Sequence, residues 1–167
     1  EETNITAENF IGFSSGSVVQ NIFSQASGTP VQFEPDSVEY SATAYDSNSN
    51  RVVIAYSDTG DSNKGKAVVV TVNDANNSVS FGTPVVFEAG YSRHIAATFD
   101  SNSNKIVIMC SDGGNSSYGT AIVGTVDSSD NSISFGSAVV FESAAVDEMN
   151  ATFDSNANKV VIAYRDK

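Results

Sequence analysis

The sequence predicts an all-β fold built from a tandem repeat. Three observations lead to this prediction: a period of 54 residues, clusters of Gly, Asn and Ser at intervals of about 8–12 residues, and apolar runs rich in Val and Ile between them. No window combines apolar residues at helical spacing with capping signals, so we expect no helices. A length of 167 residues suits one ordinary domain.

The 54-residue period is clearest in two pairs of segments. Ala97–Asp112 and Ala151–Asp166 are identical at 11 of 16 positions without a gap. Ser78–Glu88 and Ser132–Glu142 are identical at 8 of 11 positions. Identity at this level indicates that each copy folds into the same structural unit.

Each repeat is predicted to contain four strands. The Asp-Ser-Asn-Ser/Ala-Asn segment after the first strand favours a tight hairpin, because Asn and Asp tolerate positive φ and hydrogen-bond their own backbone. A Gly/Asn/Ser loop precedes the third strand and an Asp/Asn/Ser turn precedes the fourth. In one repeat the strands are predicted at Ser41–Tyr45, Val52–Tyr56, Ala67–Val72 and Ser78–Glu88.

The second and third strands are nearly continuous apolar runs, which indicates that both faces of the sheet are covered. A four-stranded antiparallel unit of about 50 residues, covered on both faces by copies of itself, is a β-propeller blade. We therefore predict a β-propeller. A stacked β-solenoid and a two-sheet sandwich are the alternatives.

Counting strands predicts three blades per chain. Residues 35–88 and 89–142 form complete blades, whereas residues 143–167 supply only strands one and two. Residues 1–34 supply strands three and four of that split blade. Because propellers typically have 4–8 blades, we predict a homo-oligomer that closes a ring, most simply a dimer. An open filament and a fragment of a longer tandem array are the alternatives.

Charge and composition exclude several partners. The chain has 20 acidic and 8 basic residues, a net charge of −12, which disfavours nucleic acid and anionic membrane surfaces. No apolar run approaches the roughly 18–20 residues of a membrane helix, so we expect no membrane insertion. One Cys and one His cannot build a His/Cys zinc site in one chain. We expect neither a metal nor a cofactor.

Three Asp-x-Asn-x-Asn segments resemble the start of a calcium-binding loop. They begin at Asp46, Asp100 and Asp154 and lack both the following Gly and the Glu at the twelfth position. We interpret them as hairpin turns closed by Asx hydrogen bonds.

The turn before the fourth strand carries a family resemblance. Ser128–Phe135, Ser-Ser-Asp-Asn-Ser-Ile-Ser-Phe, resembles a degenerate Asp-box of sialidase-like propellers, and Asp74–Phe81 keeps part of it. The stretches Phe99–Ile108 and Ser132–Glu142 also resemble tandem repeats of marine bacteriophage structural proteins, as does Thr6–Phe13 more loosely. This second resemblance implies a virion or cell-surface location.

The repeats diverge in two sets of connections that lie at the same end of an up-and-down blade. One set joins strand four to strand one (Pro35–Tyr40, Ala89–His94, Ser143–Met149), and the other joins strands two and three (Thr59–Lys64, Gly113–Tyr118). Variable connections over a constant scaffold are typical of a binding surface. The candidate ligand-binding residues are Tyr40, Asp58, Tyr91, Arg93, His94, Asp112, Tyr118, Asp147 and Glu148.

No catalytic constellation is recognisable. Arg51, Arg93 and Arg165 occupy different blade positions and are not expected to form the arginine cluster of a sialidase. His94 has no recognisable Ser or Cys nucleophile, and Cys110 is predicted to be an inert core thiol. We therefore predict a non-enzymatic structural or binding module whose ligand is a glycan or a cell-surface receptor. A carbohydrate-binding lectin and a sialidase-like, glycoside-active propeller are the alternatives.

Overall fold

The structure, a computed structural model, describes residues 30–167. This part of the chain contains ten antiparallel β-strands in one sheet, two short 3-10 turns and no α-helix, which confirms the all-β prediction. Residues 1–29 include the Thr6–Phe13 segment and most of the strands assigned to the split blade, and they lie outside the described residues.

The chain divides into two compact units. The larger unit comprises Gln32–Val72 and Ser80–Lys167, and the packing described below lies within it. The smaller unit includes Asn73–Val79, a turn in which the side chains of Asn73 and Asn76 each accept a hydrogen bond from the backbone amide two residues further on.

The strands follow one another along the sheet in a simple order. The main path is β1-β2-β3-β5-β6-β7-β9-β10, and the short strand β8 pairs with β7. The strands are β1 Val38–Asp46, β2 Arg51–Asp58, β3 Lys64–Asn73, β4 Ser78–Phe81, β5 Val85–Asp100, β6 Lys105–Asp112, β7 Tyr118–Asp127, β8 Ser132–Phe135, β9 Val139–Asp154 and β10 Lys159–Asp166.

The two longest strands each belong to two successive repeats. The first half of β5 pairs with β3, for example Ala67 with Val85, and its second half pairs with β6, for example Asp100 with Lys105. Strand β9 joins β7 to β10 in the same way. These strands divide the sheet into a first segment (β1, β2, β3 and early β5), a second segment (late β5, β6, β7, β8 and early β9) and a third segment (late β9 and β10).

The predicted loops between strand four and strand one are therefore wrong in two repeats. Ala89–His94 and Ser143–Met149 lie inside β5 and β9, and the end of Pro35–Tyr40 belongs to β1. The reason is that a β-bulge turns the strand while most of its ladder is kept. The polar composition of these stretches resembles a loop, but the backbone stays extended.

The bulge recurs once per repeat. Register shifts interrupt the β1–β2, β5–β6 and β9–β10 pairings at equivalent places. At each one a non-glycine residue has a left-handed backbone: Tyr40 at φ 49°, His94 at φ 48° and Glu148 at φ 48°. Such residues are uncommon, and their recurrence at a spacing of 54 residues shows that the fold imposes this geometry.

The predicted fourth strand is interrupted. Ser132–Glu142, predicted as one strand, forms β8 and the beginning of β9, with a break at residues 136–138. The Gly136 amide still donates to the Val123 carbonyl at 3.0 Å, so the break remains attached to β7. The equivalent Gly82 leaves no room for a Cβ, which would collide with the backbone oxygen of Asn131.

The Asp-Ser-Asn hairpins are as predicted. Asp46 Oδ1 accepts hydrogen bonds from the amides of Asn48 at 2.9 Å and Ser49 at 3.1 Å, and Oδ2 accepts from the Ser49 hydroxyl at 2.7 Å. Asn50 completes the turn at φ 54°. Asp100 and Asp154 accept the equivalent amide bonds.

The core forms where the first and second segments meet. It contains Val53 and Ala55 of β2 together with Ile106 and Ile108 of β6. Because side chains alternate between the two faces of a strand, Val53 and Ala55 lie on the face opposite to the one that Ile106 and Ile108 occupy in their own repeat. One face of the first segment therefore packs against the opposite face of the second. Met109, on the other side of β6, is also fully buried, as predicted for a sheet covered on both faces.

Aromatic pairs add a second set of recurring contacts. Phe33 lies 5.2 Å from Tyr56, and Phe141 lies 5.4 Å from Tyr164, measured between ring centroids. Each tyrosine hydroxyl also donates to the glutamate that follows the phenylalanine, at 3.0 and 2.9 Å. The middle repeat has Cys110 in place of the tyrosine, so this contact is absent there.

The burial of two valines on β3 gives a direct test of the core. Val69 is 0% exposed and Val72 is 52% exposed. We expect Val69→Ala to lower the free energy of unfolding by about 2 kcal/mol, since it removes two buried methyl groups and leaves a cavity. Val72→Ala should change it by less than about 0.5 kcal/mol. Urea unfolding followed by circular dichroism measures both, and equal effects would contradict this placement of the core.

Candidate binding site at the strand bulges

The three bulges bring predicted site residues together at one end of the sheet. We define the bulge rim as Tyr40, Tyr91, Arg93, His94 and Glu148. The rings of Tyr40 and His94, which are equivalent positions of two repeats, lie 5.0 Å apart between centroids. The bulge geometry causes this proximity, because it projects the equivalent side chain of each repeat from the same place on the scaffold.

Arg93 lies over the ring of Tyr91, with Cζ 4.2 Å from the ring centroid. This cation–π contact is its only side-chain partner among residues 30–167. The Nε atom is buried and has no hydrogen-bond partner there. Buried polar atoms without a partner are uncommon in folded proteins.

The third bulge carries an ion-pair network. Asp147 is buried and accepts from Nε and Nη2 of Arg165, both at 2.6 Å, and from Nζ of Lys167 at 2.7 Å. Glu148 is exposed and lies 3.2 Å from Arg165. The hydrogen bonds from Arg165 and Lys167 hold the pKa of Asp147 well below its usual range. Asp147 is therefore buried and ion-paired within its own repeat. The prediction that it contacts a ligand is wrong.

His94 is held mainly as a neutral imidazole near pH 7. Partial burial lowers its pKa most, and the positive charges of Lys167 and Arg93 lower it further. Asp147 and Glu148 act in the opposite direction without reversing the shift. A neutral ring can both accept and donate a hydrogen bond.

Two predicted site residues have a structural role instead. Asp58 and Asp112 are buried, and each accepts hydrogen bonds from two amides of the 3-10 turn that follows it. Asp58 also pairs with Lys66 at 2.6 Å. They cap the turns between strands two and three. Tyr118 is half-buried at the start of β7, where it pairs with Asp112 across the sheet.

One group of acidic residues was not predicted from the sequence. Carboxylate oxygens of Glu34, Asp36 and Asp58 lie within 4.8 Å of one another. Protein donors already occupy two of the three groups, since Tyr56 donates to Glu34 and Lys66 donates to Asp58. The fold brings these residues together, since Asp58 ends β2 whereas Glu34 and Asp36 precede β1.

Cys110 is buried, as predicted. Burial raises the pKa of its thiol to about 12, and the negative charges of Glu88 and Asp112 add to the effect. A thiol with this pKa is protonated and unreactive at neutral pH.

A second concave surface lies at the hairpin-turn end of the sheet. It is an open cavity of about 450 Å³, and repeat-equivalent residues from β1, β5 and β9 line it. Tyr45, Phe99 and Phe153 are one such set. The first strands of three repeats therefore face one shared space.

The arginines do not form a common cluster in the part of the chain that the structure describes. Arg51 lies at a hairpin turn and donates to Asn131 at 2.7 Å and to the carbonyl of Ser128 at 3.1 Å. Arg165 is bound to Asp147, and Arg93 is stacked on Tyr91.

No protein-family model, curated protein or solved structure matches the chain. Within residues 30–167, no helix has the length and apolar character needed to cross a bilayer.

The pKa of His94 predicts a pH dependence of stability. Its pKa in the folded state lies below that of the unfolded chain, about 6.5, so the unfolded chain binds more protons between these values. We expect the free energy of unfolding to rise with pH as the pH passes through about 6.5, and His94→Gln to reduce this slope. Because His94 is the only histidine, urea titrations at several pH values isolate its effect. An identical slope in both proteins would contradict the prediction.

Proposed function

We propose that the protein is a non-enzymatic β-propeller-repeat module of a virion or cell-surface assembly, located outside the cell, that binds a glycan or cell-surface receptor on the bulge rim. One observation carries the proposal. Equivalent bulges with nearly identical backbone angles present Tyr40, His94 and Glu148, three side chains of different chemistry. A constant scaffold that varies its exposed groups is how repeat proteins build binding surfaces.

The packing of the repeats supports the propeller interpretation. A propeller consists of four-stranded antiparallel blades arranged around a central channel. The first two segments have this strand arrangement, and opposite faces of neighbouring segments pack together. In this interpretation, the open cavity lined by β1, β5 and β9 would form part of the channel wall.

The chemistry of the rim favours recognition over catalysis. His94 packs against the ring of Tyr40, and no side-chain hydrogen bond joins it to a Ser or Cys within residues 30–167. Asp147 is held by two cations. A carbohydrate-binding lectin is the second candidate, because Tyr40 is 37% exposed and its ring can stack on a sugar. A glycoside-active enzyme would need an acid and a base that these contacts leave free.

The burial of equivalent residues supports assembly with a second copy of the chain. Val53 is fully buried beneath the second segment, whereas the equivalent Val161 of the third segment is 51% exposed. Val161 and Ala163 line an open concave surface. Because the same face is covered inside the chain by another repeat, a repeat of a second copy has the matching apolar surface. A homodimer that closes a propeller ring is the simplest such assembly, and a filament is the alternative.

Replacing two tyrosines of β1 one at a time tests whether the ligand binds at the bulge rim. We expect wild-type protein to bind specific glycans on an array, and Tyr40→Ala to weaken that binding at least about tenfold. Tyr45→Ala is the matched control, since Tyr45 is 55% exposed at the other end of β1. Equal loss in both variants, or loss only in Tyr45→Ala, would contradict the rim as the site.

Light scattering of variants at two equally exposed valines tests whether the chain assembles into a dimer. We expect a dimer at micromolar concentration, and a shift towards monomer in Val161→Asp because the charge would be buried at the interface. Val72→Asp, at a site 52% exposed, should leave the mass unchanged. A folded wild-type monomer of about 17.5 kDa would refute the ring.

A further inference from the structure

We infer that Arg93 is a carboxylate-binding group and that the ligand of the bulge rim is an acidic sugar. This inference rests on the proposed function, which places a ligand at the rim, and it adds the chemical class of that ligand. Three features support the inference. They are the unmet hydrogen-bonding capacity of Arg93, the ion pair at the equivalent position of the next repeat, and the groups surrounding Arg93.

The guanidinium of Arg93 lacks an acceptor. Its Nε is buried without a partner, and no hydrogen bond or ion pair reaches its other nitrogens from residues 30–167. The contact with Tyr91 fixes the group from its face. Because all five N–H donors of a guanidinium lie in its own plane, contact through the face uses none of them. A bound carboxylate would satisfy a charge that is otherwise incompletely solvated.

In the next repeat, the position equivalent to Arg93 holds one partner of a guanidinium–carboxylate ion pair. Arg93 and Asp147 are equivalent residues, and each lies opposite a residue of the neighbouring strand: Arg93 opposite Ser111, and Asp147 opposite Arg165. Across the β9–β10 pair, Asp147 and Arg165 form a bidentate ion pair at 2.6 Å. In the second repeat the arginine is present, but the residue opposite is a neutral serine. The scaffold therefore accommodates a guanidinium–carboxylate pair here, and the second repeat lacks the carboxylate.

Arg93 differs from the other two arginines because no oxygen accepts a hydrogen bond from its guanidinium within residues 30–167. Lys64, Lys66, Arg165 and Lys167 all form ion pairs with carboxylates. Arg51 donates to oxygens of two hairpin turns. In a chain with a net charge of −12, an arginine without an acidic partner is not explained by a shortage of carboxylates.

The surroundings of Arg93 favour a sugar over an acidic peptide. A chain of charge −12 repels polyanions at long range, so a ligand with one carboxylate on a neutral body is preferred. His94 follows Arg93 in the chain and packs against the exposed ring of Tyr40, which offers an apolar face. His94 and the nearby Glu148 offer hydrogen-bonding groups for hydroxyls. A sugar acid such as a sialic or uronic acid combines these features.

The inference is tested by isothermal titration calorimetry with defined probes. The probes are 3′-sialyllactose and a hyaluronan disaccharide, each with one sugar carboxylate, together with neutral lactose and a short glutamate-containing peptide. We expect at least one acidic sugar to bind at least about tenfold more tightly than lactose, because a charge-assisted bidentate contact contributes that much. Arg93→Ala should abolish this preference.

Two further variants keep the result interpretable. Arg93→Lys retains the charge without the bidentate geometry and should lose only part of the affinity. Lys159→Ala removes an exposed cation at the other end of β10 and should bind like wild type. Circular dichroism melting confirms that each variant is folded.

Several outcomes would overturn the inference. These are equal affinity for lactose and the acidic sugars, unchanged binding in Arg93→Ala, tighter binding of the peptide, or binding of none of the probes. Binding of neutral glycans that depends on Tyr40 and not on Arg93 would overturn this inference and leave the proposed function standing.

Discussion

One face of the first sheet segment packs against the opposite face of the second, and this contact forms the hydrophobic core. Val53 and Ala55 of the first segment share a core with Ile106 and Ile108 of the second. Burial of apolar side chains is the main favourable term in folding, and a single four-stranded segment cannot bury both of its faces alone. Each repeat is therefore one copy of the sequence motif, and its stability depends on its contact with a neighbouring repeat.

The bulges follow from this packing. A strand that ends one segment and begins the next must change direction, and β5 does so without leaving the extended conformation. The left-handed residues Tyr40, His94 and Glu148 are the result, and their side chains are presented at the same end of the sheet. Hydrogen bonds within each repeat hold the backbone, so these side chains are available for contacts that the core does not use.

The features predicted correctly from the sequence are those set by short-range chemistry. The hairpins at Asp46, Asp100 and Asp154 depend on residues within the turn itself, and the apolar runs of β2 and β6 directly reflect burial on both faces. The errors concern long-range contacts. The burial of Asp147 depends on Arg165, 18 residues away, and requires the register of β9 with β10. The continuity of β5 is hidden because a bulged, polar strand and a loop have similar compositions.

Amide hydrogen exchange, followed residue by residue with NMR, tests whether β5 is one continuous strand. The Ser92 amide donates to the Asn63 carbonyl at 2.9 Å, and its neighbour Arg93 pairs with Ser111. If β5 is one continuous bulged strand, the Ser92 amide exchanges much more slowly than an amide in an unstructured peptide, as do amides on both sides of the bulge. Exchange at the unstructured rate throughout Ala89–His94 would show a flexible loop and would remove the structural basis of the rim.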